Sequence, residues 1–331
     1  MASPILEVKD LHTFFKTREG VVKAVNGVSL TLEEDTILGV VGESGAGKTV
    51  TALSILQLVP FPGQIVSGSI RYNGKELLGL SAEQMRPLRG KEISLIFQDA
   101  AAALNPVIPI GKQVEEIIRE HTRMGHRQVR AMSVDLLTQM GIPDASRMMD
   151  RYPFQLSGGM AQRVMLAIGV AMKPRVLIAD EPTSNLDVTL QAEILQRLRQ
   201  MRHENHSSIM LITHDLGVIA QMADNVAVMY GGMIVEYAET RALFARPAHP
   251  YTWGLFQALP RLDSTARALT PMRGAPPKMV DPPDQCPFLH RCPKATNQCR
   301  TEPRPKLQQV GAGHQVACYN QISYAEASEA R

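Results

Sequence analysis

The pattern of apolar and polar residues changes several times along the chain. Residues 5–8 and 21–32 alternate between apolar and polar side chains, as strands of a partly exposed antiparallel sheet do, and residues 18–20 predict the turn between them. Short apolar runs typical of buried parallel strands follow at 37–41, 93–97, 176–179 and 209–213. The chain therefore combines an N-terminal antiparallel β subdomain with a mainly parallel core sheet.

Between residues 107 and 150 the apolar spacing becomes that of amphipathic helices, and this block is predicted to be an inserted helical subdomain. Strands and helices alternate again after it, with helices predicted at 159–172, 188–202 and 216–222. A hairpin is predicted over 226–236. This alternation is typical of an α/β fold whose parallel sheet is covered on both faces.

Beyond residue 245 the pattern gives way to a proline-rich segment and then to cysteines. We predict a large domain over residues 1–245, with its helical subdomain at about 107–158, and an extension over 246–331. Within the extension, a small irregular module is expected at about 284–320. It holds all four cysteines of the chain, Cys286, Cys292, Cys299 and Cys318.

Composition excludes some classes of protein. The net charge is only +3, from 35 basic and 32 acidic residues, so no strong positive field favours nucleic acid as a partner. No apolar run approaches the roughly 20 residues that span a bilayer, and the first ten residues do not resemble a secretion signal. We expect a cytosolic chain, which would need other subunits in order to act across a membrane.

A glycine-rich loop follows the predicted strand at 37–41 and opens a predicted helix. It matches G-x-x-x-x-G-K-[ST] completely, and in this context the motif predicts backbone N–H groups around nucleotide phosphates. Lys48 would contact the terminal phosphates and Thr49 would bind Mg²⁺. A chance glycine turn is the alternative. The expected nucleotide contacts are Gly42, Glu43, Ser44, Gly45, Ala46, Gly47, Lys48, Thr49 and Val50.

Polar residues at the ends of three other predicted strands complete this chemistry. Asp180 and Glu181 end an apolar run, where one carboxylate suits Mg²⁺ and the other suits a base for attacking water. His214 ends the next strand, and Gln98 ends the strand at 93–97. Each of these residues could instead have an ordinary structural role. Their order along the chain is therefore what favours a role in hydrolysis.

The motifs in this order, with Leu156-Ser157-Gly158-Gly159-Met160 between them, resemble the ATP-binding-cassette (ABC) transporter ATPases over residues 5–239. The resemblance implies an ABC-type P-loop ATPase that hydrolyses ATP, with Glu181 as base, Gln98 as sensor of Mg²⁺ and water, and His214 as γ-phosphate contact. It places Phe15 on the adenine, with Phe14 as the competing candidate. Residues serving the ATP of a neighbouring subunit would be Ser157, Gly158, Gly159 and Asp187.

Segments at 58–80, 86–98, 248–252 and 259–261 resemble the D-type ATPases of dipeptide and oligopeptide importers. The resemblance implies a peripheral protein at the cytoplasmic face of the membrane, with a second ATPase as heterodimer partner, two permeases and an extracytoplasmic solute-binding protein. Nickel or another small solute is the alternative cargo. A soluble ABC ATPase acting on DNA or ribosomes is a distant alternative, which the single cassette and weak charge disfavour.

Some positions depart from the branch pattern, and the cysteines leave their ligand open. Ala161 replaces the usual arginine after Met160, and Asn185 replaces a small residue. The cysteine spacing lacks the close ligand pairs of structural zinc sites and suits a [4Fe-4S] cluster better, as the family resemblance also implies. Zn²⁺ and no metal at all stay open as alternatives.

Overall fold

The computed structural model describes residues 4–184, 186–258 and 272–323. Asn185 and the segment 259–261 therefore lie outside the described residues. The chain divides into two compact units, one formed within Met1–Leu6, Thr31–Ile37 and Arg71–Thr213, the other within Glu7–Leu30, Leu38–Ile70 and His214–Arg331. In the part of the chain that the structure describes, no helix is both long and apolar enough to cross a bilayer.

The described elements follow the predicted order. The strands are β1 (Pro4–Thr17), β2 (Gly20–Glu33), β3 (Ile37–Val41), β4 (Gly63–Tyr72), β5 (Lys75–Glu76), β6 (Ile93–Ile96), β7 (Val176–Asp180), β8 (Ser208–Thr213), β9 (Asn225–Tyr230), β10 (Met233–Glu239), β11 (Gln308–Gly311) and β12 (His314–Val316). The helices are α1 (Lys48–Ile55), α2 (Ala82–Met85), α3 (Ala100–Ala103), α4 (Ile110–His121), α5 (His126–Gln139), α6 (Ala145–Met148), α7 (Gly158–Val170), α8 (Val188–Asn205), α9 (Leu216–Met222), α10 (Thr240–Ala245), α11 (Pro250–Gln257) and α12 (Asn297–Thr301).

The first unit contains parallel strands and the helical block. Strands β6, β7 and β8 are parallel neighbours in that order, with Val176 of β7 opposite Ile93 on one side and Ser208 on the other. Every residue of β7 and β8 is buried, as continuous apolar runs in a covered parallel sheet should be. Helices α4, α5 and α7 pack together. The predicted α/β architecture with an inserted helical region is confirmed.

The second unit contains β3 and the strands that follow it on one side, in the order β11-β12-β10-β9-β3. Strand β3 is parallel to β9, whereas β9 and β10 form the predicted antiparallel hairpin. In the same unit β1 lies between β2 and β4, and because only two residues join β1 to β2, these neighbours run antiparallel, as predicted.

The C-terminal extension, residues 246–331, is called the tail below. Its described residues are more regular than the sequence indicates. Strand β12 pairs with β10, with Val316 opposite Glu236, and β11 adds a further antiparallel strand. Val22 and Val280 form a bridge, flanked by a hydrogen bond from Lys23 N–H to Met279 O of 2.8 Å. Pairing covers β10, which would otherwise expose unpaired backbone groups. The domain boundary at 245/246 stays a prediction.

Candidate functional site

The glycine-rich loop between β3 and α1 is held in one conformation by its own glycines. Gly42, Gly45 and Gly47 all have positive φ, of 156°, 79° and 100°. A Cβ on Gly47 would lie 2.3 Å from Ala24 O, and one on Gly42 would lie 2.2 Å from Met229 O, so neither position has room for a side chain. Lys48 Nζ donates to Gly42 O at 2.7 Å and to Glu43 O at 3.1 Å.

The second residue of the loop, Glu43, has contacts that the sequence did not reveal. Its carboxylate accepts two hydrogen bonds from the guanidinium of Arg291, at 2.7 and 3.0 Å. Its backbone N–H donates to the hydroxyl of Tyr251 at 2.8 Å. Arg291 also donates to the Tyr230 hydroxyl at 3.0 Å. Arg291 and Glu43 are 248 residues apart, so no local pattern could have paired them.

The two phenylalanines proposed for adenine stacking are both half-buried on β1. Phe14 has the side chain of Lys23 over its ring, with Nζ 5.8 Å from the ring centroid, and contacts His12 edge to face. The ring of Phe15 lies against Gly63, where an added Cβ would come within 2.5 Å of Phe15 Cε1. These contacts do not distinguish the two rings, and the choice of Phe15 stays a prediction.

In the first unit, the two predicted carboxylates lie at the carboxyl end of β7. Asp180 is 2% exposed and Glu181 is 7% exposed. Glu181 has a left-handed backbone conformation, with φ of 49°, and its N–H donates to Ile212 O of β8 at 2.9 Å. A non-glycine residue held in this region is strained by roughly 1–2 kcal/mol. The neighbouring strand thus fixes the direction in which Glu181 leaves the sheet.

Three further predicted residues of the first unit lie at the ends of elements. Ser157 caps α7 and accepts from Met160 N–H at 3.3 Å, and Asp187 caps α8 and accepts from Leu190 N–H at 3.0 Å. Both side chains are exposed. Gln98 is exposed after β6, and its carbonyl is 3.4 Å from Ser184 Oγ.

The start of α7 packs closely on the start of α8. A Cβ on Gly159 would lie 2.5 Å from Leu190 Cδ2, whereas Gly158 has nothing within 4 Å. The buried side chain of Gln162 donates to Pro182 O at 2.8 Å, which ties α7 to the loop after Glu181. The structure therefore gathers the pentapeptide, the acidic pair and Asp187 within one unit.

His214 belongs to the second unit, directly after β8, and its side chain is exposed. The next residue, Asp215, caps α9 by accepting from Gly217 N–H at 2.8 Å and Val218 N–H at 3.1 Å. This cap fixes the backbone next to His214, so the histidine leaves the sheet at a defined point.

The four cysteines are not joined by disulfides, and all of them line one small pocket of the second unit. Burial raises the pKa of the Cys286 thiol to about 11 and that of Cys318 to about 12, and the neighbouring cysteines add to both shifts. Among the described residues, however, no three His, Cys, Asp or Glu side chains converge closely enough to hold a metal ion. This arrangement therefore does not support the predicted iron–sulfur cluster.

One buried histidine faces the same pocket and was not predicted as a site residue. His249 is 1% exposed, lines the pocket with the cysteines, and accepts at Nδ1 from Tyr251 N–H at 3.0 Å. Its Nε2 has no hydrogen-bond partner among the described residues. Burial lowers the pKa of His249 to about 3, so the ring is neutral with its proton on Nε2.

A buried carboxylate fixes the backbone at that histidine. Glu236 of β10 is fully buried and accepts from Ala248 N–H at 2.6 Å and His249 N–H at 2.9 Å. His314 Nε2 of β12 lies 2.7 Å from the same carboxylate. Glu236 therefore joins β10, the start of α11 and the tail. In the sequence, Glu236 is only the last residue of the predicted hairpin, and nothing local indicates these contacts.

Known ATP-binding cassettes share this fold. The fold resembles a dimeric ATP-binding cassette in a post-hydrolysis state with ADP and phosphate, at 24% identity and a TM-score of 0.65, covering 71% of this chain and 99% of that one. It also resembles cbiO1 of Clostridium perfringens, part of the ABC transporter complex cbiONQ, at 26% identity and a TM-score of 0.60, covering 73% of this chain and 91% of that one. The ABC transporter family model matches residues 25–184.

More specific matches run through the tail. The model for the oligopeptide/dipeptide transporter C-terminal region matches residues 235–299. The dipeptide transport ATP-binding protein of Bacillus subtilis is 43% identical over 324 residues, covering 97% of this chain and 96% of that protein. The oligopeptide transport ATP-binding protein of Salmonella typhimurium is 42% identical over 321 residues, covering 97% and 95%. The chain belongs to this family of ABC transporter ATP-binding proteins and is an ATPase.

Proposed function

We propose that this chain is the energy-coupling ATPase of an importer for dipeptides or oligopeptides. The observation that carries the proposal is the continuous match, over 97% of the chain, to a dipeptide transport ATP-binding protein. That match includes the C-terminal region as well as the ATPase core. Permease subunits and a solute-binding protein are its proposed partners, on the strength of the similarity to dipeptide and oligopeptide transport ATP-binding proteins.

The roles of individual residues follow from their chemistry. Lys48 and the backbone of residues 42–50 hold the ATP phosphates, Thr49 and Asp180 hold Mg²⁺ with Gln98, and Phe15 stacks on the adenine. Glu181 takes a proton from the attacking water, and His214 contacts the γ-phosphate. Strain at Glu181 and burial of Asp180 support their assignment, because strained backbone and buried carboxylates gather where chemistry is done.

A second ATPase subunit is the proposed partner of the exposed helix ends in the first unit. Ser157, Gly158 and Asp187 are exposed, and Gly158 has open space around it, which suits contact with a neighbour's ATP. Val107, Phe154 and Val188 are 78%, 72% and 82% exposed, and such apolar side chains suit contact with other subunits. We propose a related, non-identical ATPase and a peripheral location at the cytoplasmic membrane face.

The substitution Glu181→Gln tests the mechanism. Removing the base should lower ATP turnover by about 10² to 10⁴ while ATP binding persists. The matched control is Glu193→Gln, which removes an exposed carboxylate of α8 that pairs with Arg163. ATPase rates and binding of a fluorescent ATP analogue separate the two steps. Normal turnover by Glu181→Gln would remove Glu181 from the mechanism.

Cargo is tested in cells that carry the chain with its own permeases. Uptake of labelled dipeptides and longer peptides should depend on Glu181, whereas uptake of ⁶³Ni²⁺ should not. Nickel uptake that depends on Glu181, with no peptide uptake, would assign the chain to the small-solute alternative.

We further propose that the four cysteines hold a [4Fe-4S] cluster, with Zn²⁺ as the alternative. The described thiols do not converge as in a formed metal centre, and the proposal rests on two other observations: the four free thiols line one pocket, and His249, which lines it too, has a buried Nε2–H with no partner among the described residues. A buried donor without a partner costs about 1–3 kcal/mol, and cluster sulfur would accept from it. The cluster would supply four iron–sulfur bonds that cross-link the tail. Iron, sulfide and zinc analysis of anaerobically purified protein distinguishes the two metals.

A further inference from the structure

The loop that binds phosphate is clamped by an arginine from the cysteine tail. Arg291 Nη1 lies 2.7 Å from Glu43 Oε2, and Nη2 lies 3.0 Å from Oε1, so the planar guanidinium meets the carboxylate as a fork. The Arg291 side chain is only 7% exposed and that of Glu43 is 24% exposed. This burial distinguishes the pair from the exposed ion pairs of the surface, which contribute little to stability.

The remaining donors of Arg291 fix the orientation of its guanidinium. Nε donates to Arg273 O at 2.9 Å, and Nη1 donates also to the Tyr230 hydroxyl at 3.0 Å. The guanidinium carbon lies 5.7 Å from the centroid of the Tyr230 ring. The hydrogen bond to Glu43 raises the pKa of Arg291 above its usual range, which keeps it charged. Arg291 therefore reaches the loop through Glu43 rather than by turning towards a nucleotide.

Glu43 passes this restraint to the phosphate-binding atoms. Its carbonyl accepts from Lys48 Nζ at 3.1 Å and from Ala46 N–H at 3.1 Å, and its N–H donates to Tyr251 Oη at 2.8 Å. Tyr251 is completely buried. The side chain, N–H and C=O of one loop residue are thus each engaged. A shift of Glu43 would therefore also move its carbonyl and its N–H, and with them the lysine and the loop amides.

We infer that Arg291 is a positioning residue for ATP binding, which holds Glu43 and through it the loop around Lys48. The inference rests on the assignment of ATP phosphates to this loop. The inference also links the tail to the loop: Arg291 directly precedes Cys292, and Phe288 in the same segment packs edge to face on Tyr230 at 5.2 Å. The folded structure of the tail therefore influences nucleotide binding through Arg291.

The test uses Arg291→Met and Glu43→Gln, singly and together, in the full-length chain. Arg291→Met should raise the KM for ATP by about tenfold and leave kcat within about threefold, because the loop is displaced but the catalytic carboxylates are untouched. Glu43→Gln should behave in the same way. The double variant should add less than about twofold to either single change, since both remove one interaction.

Controls separate positioning from a general loss of stability. Arg300→Met removes an exposed arginine of the same tail and should leave KM unchanged. Arg291→Lys keeps the charge without the fork and should lie between the wild type and Arg291→Met. If Arg291→Met does not fold, Glu43→Gln and Arg291→Lys still test the clamp.

A lower melting temperature with KM within twofold of wild type would make Arg291 merely structural and overturn the inference. Additive effects in the double variant would overturn it too. Binding of an ATP analogue to the wild type, measured at equilibrium, keeps this outcome distinct from failure of the proposed transport function. Such binding does not depend on any cargo.

Discussion

The phosphate loop and the cysteine tail lie in the same unit, yet they are specified in different ways. The loop is defined by eight consecutive residues, whose glycines adopt the conformation that the motif requires. The tail is defined by distant contacts, with β12 paired on β10 and Glu236 reaching the start of α11. A local motif can be recognised in a sequence, whereas a tail of this kind depends on a surface that the rest of the chain builds.

The largest effect expected from breaking the tail is loss of the iron that the proposed cluster would hold. Cys318→Ser removes one of four thiols around the pocket and should abolish bound iron, because serine is a poor ligand for iron–sulfur clusters. Metal analysis and the visible spectrum measure the loss. Ser323→Ala, at the end of the described tail, is the control and should keep its iron. Full iron content in Cys318→Ser would remove that residue from the ligand set.

Breaking the loop should cost stability according to the space around each glycine. Gly47→Ala places a Cβ at positive φ and 2.3 Å from Ala24 O, whereas Gly45→Ala has equally unusual φ but open space. We expect a loss of about 1–2 kcal/mol for Gly45→Ala and at least about twice that for Gly47→Ala. Urea unfolding measures both. Equal losses would show that the close backbone contact does not matter.

Loss of the hydrogen bonds between the tail and Glu236 of β10 should give the next largest effect. Glu236→Gln keeps the shape of the side chain but replaces one acceptor oxygen with an NH₂ group, which opposes a backbone N–H or His314. The free energy of unfolding should fall by about 1–3 kcal/mol, the cost of a buried unsatisfied group. Glu239→Gln, at the exposed end of β10, is the matched control. Hydrogen exchange of β12 should increase in Glu236→Gln only.

The smallest effect is expected at an exposed ion pair of the tail. Asp284 lies 3.3 Å from Arg304, and the Asp284 side chain is 69% exposed. Asp284→Asn should change the free energy of unfolding by less than about 1 kcal/mol, since water and salt screen such pairs. Thermal unfolding at low and high salt measures the difference. A loss comparable to that of Glu236→Gln would mean that the tail depends on surface charge.

Most of the fold could be predicted because its elements carry local signals. The apolar runs at 176–179 and 209–213 became β7 and β8, and the helical block at 107–150 became α4 and α5 with their short neighbours. The β11–β12 hairpin was not predicted. Its residues have weak strand character, and every residue of β11 is exposed, so only pairing with β10 defines the hairpin.

The candidate site divides in the same way. Lys48, Asp180 and Glu181 were predicted because each stands at a fixed offset from a strand end, where a motif assigns chemistry. Arg291 and His249 were not predicted as site residues, because an arginine in a loop and a histidine before a proline match no motif that assigns them a role. Their roles come from Glu43 and from the cysteine pocket, both far along the chain.

The sequence by itself determined the nucleotide chemistry, because glycines, lysine and carboxylates act through local backbone geometry that their spacing already contains. Only the tertiary structure decided what holds that chemistry in place. The Arg291 fork on Glu43 and the Glu236 contacts with the start of α11 form between segments that meet only after folding. Burial then gives those contacts the strength that the same residues would lack in water.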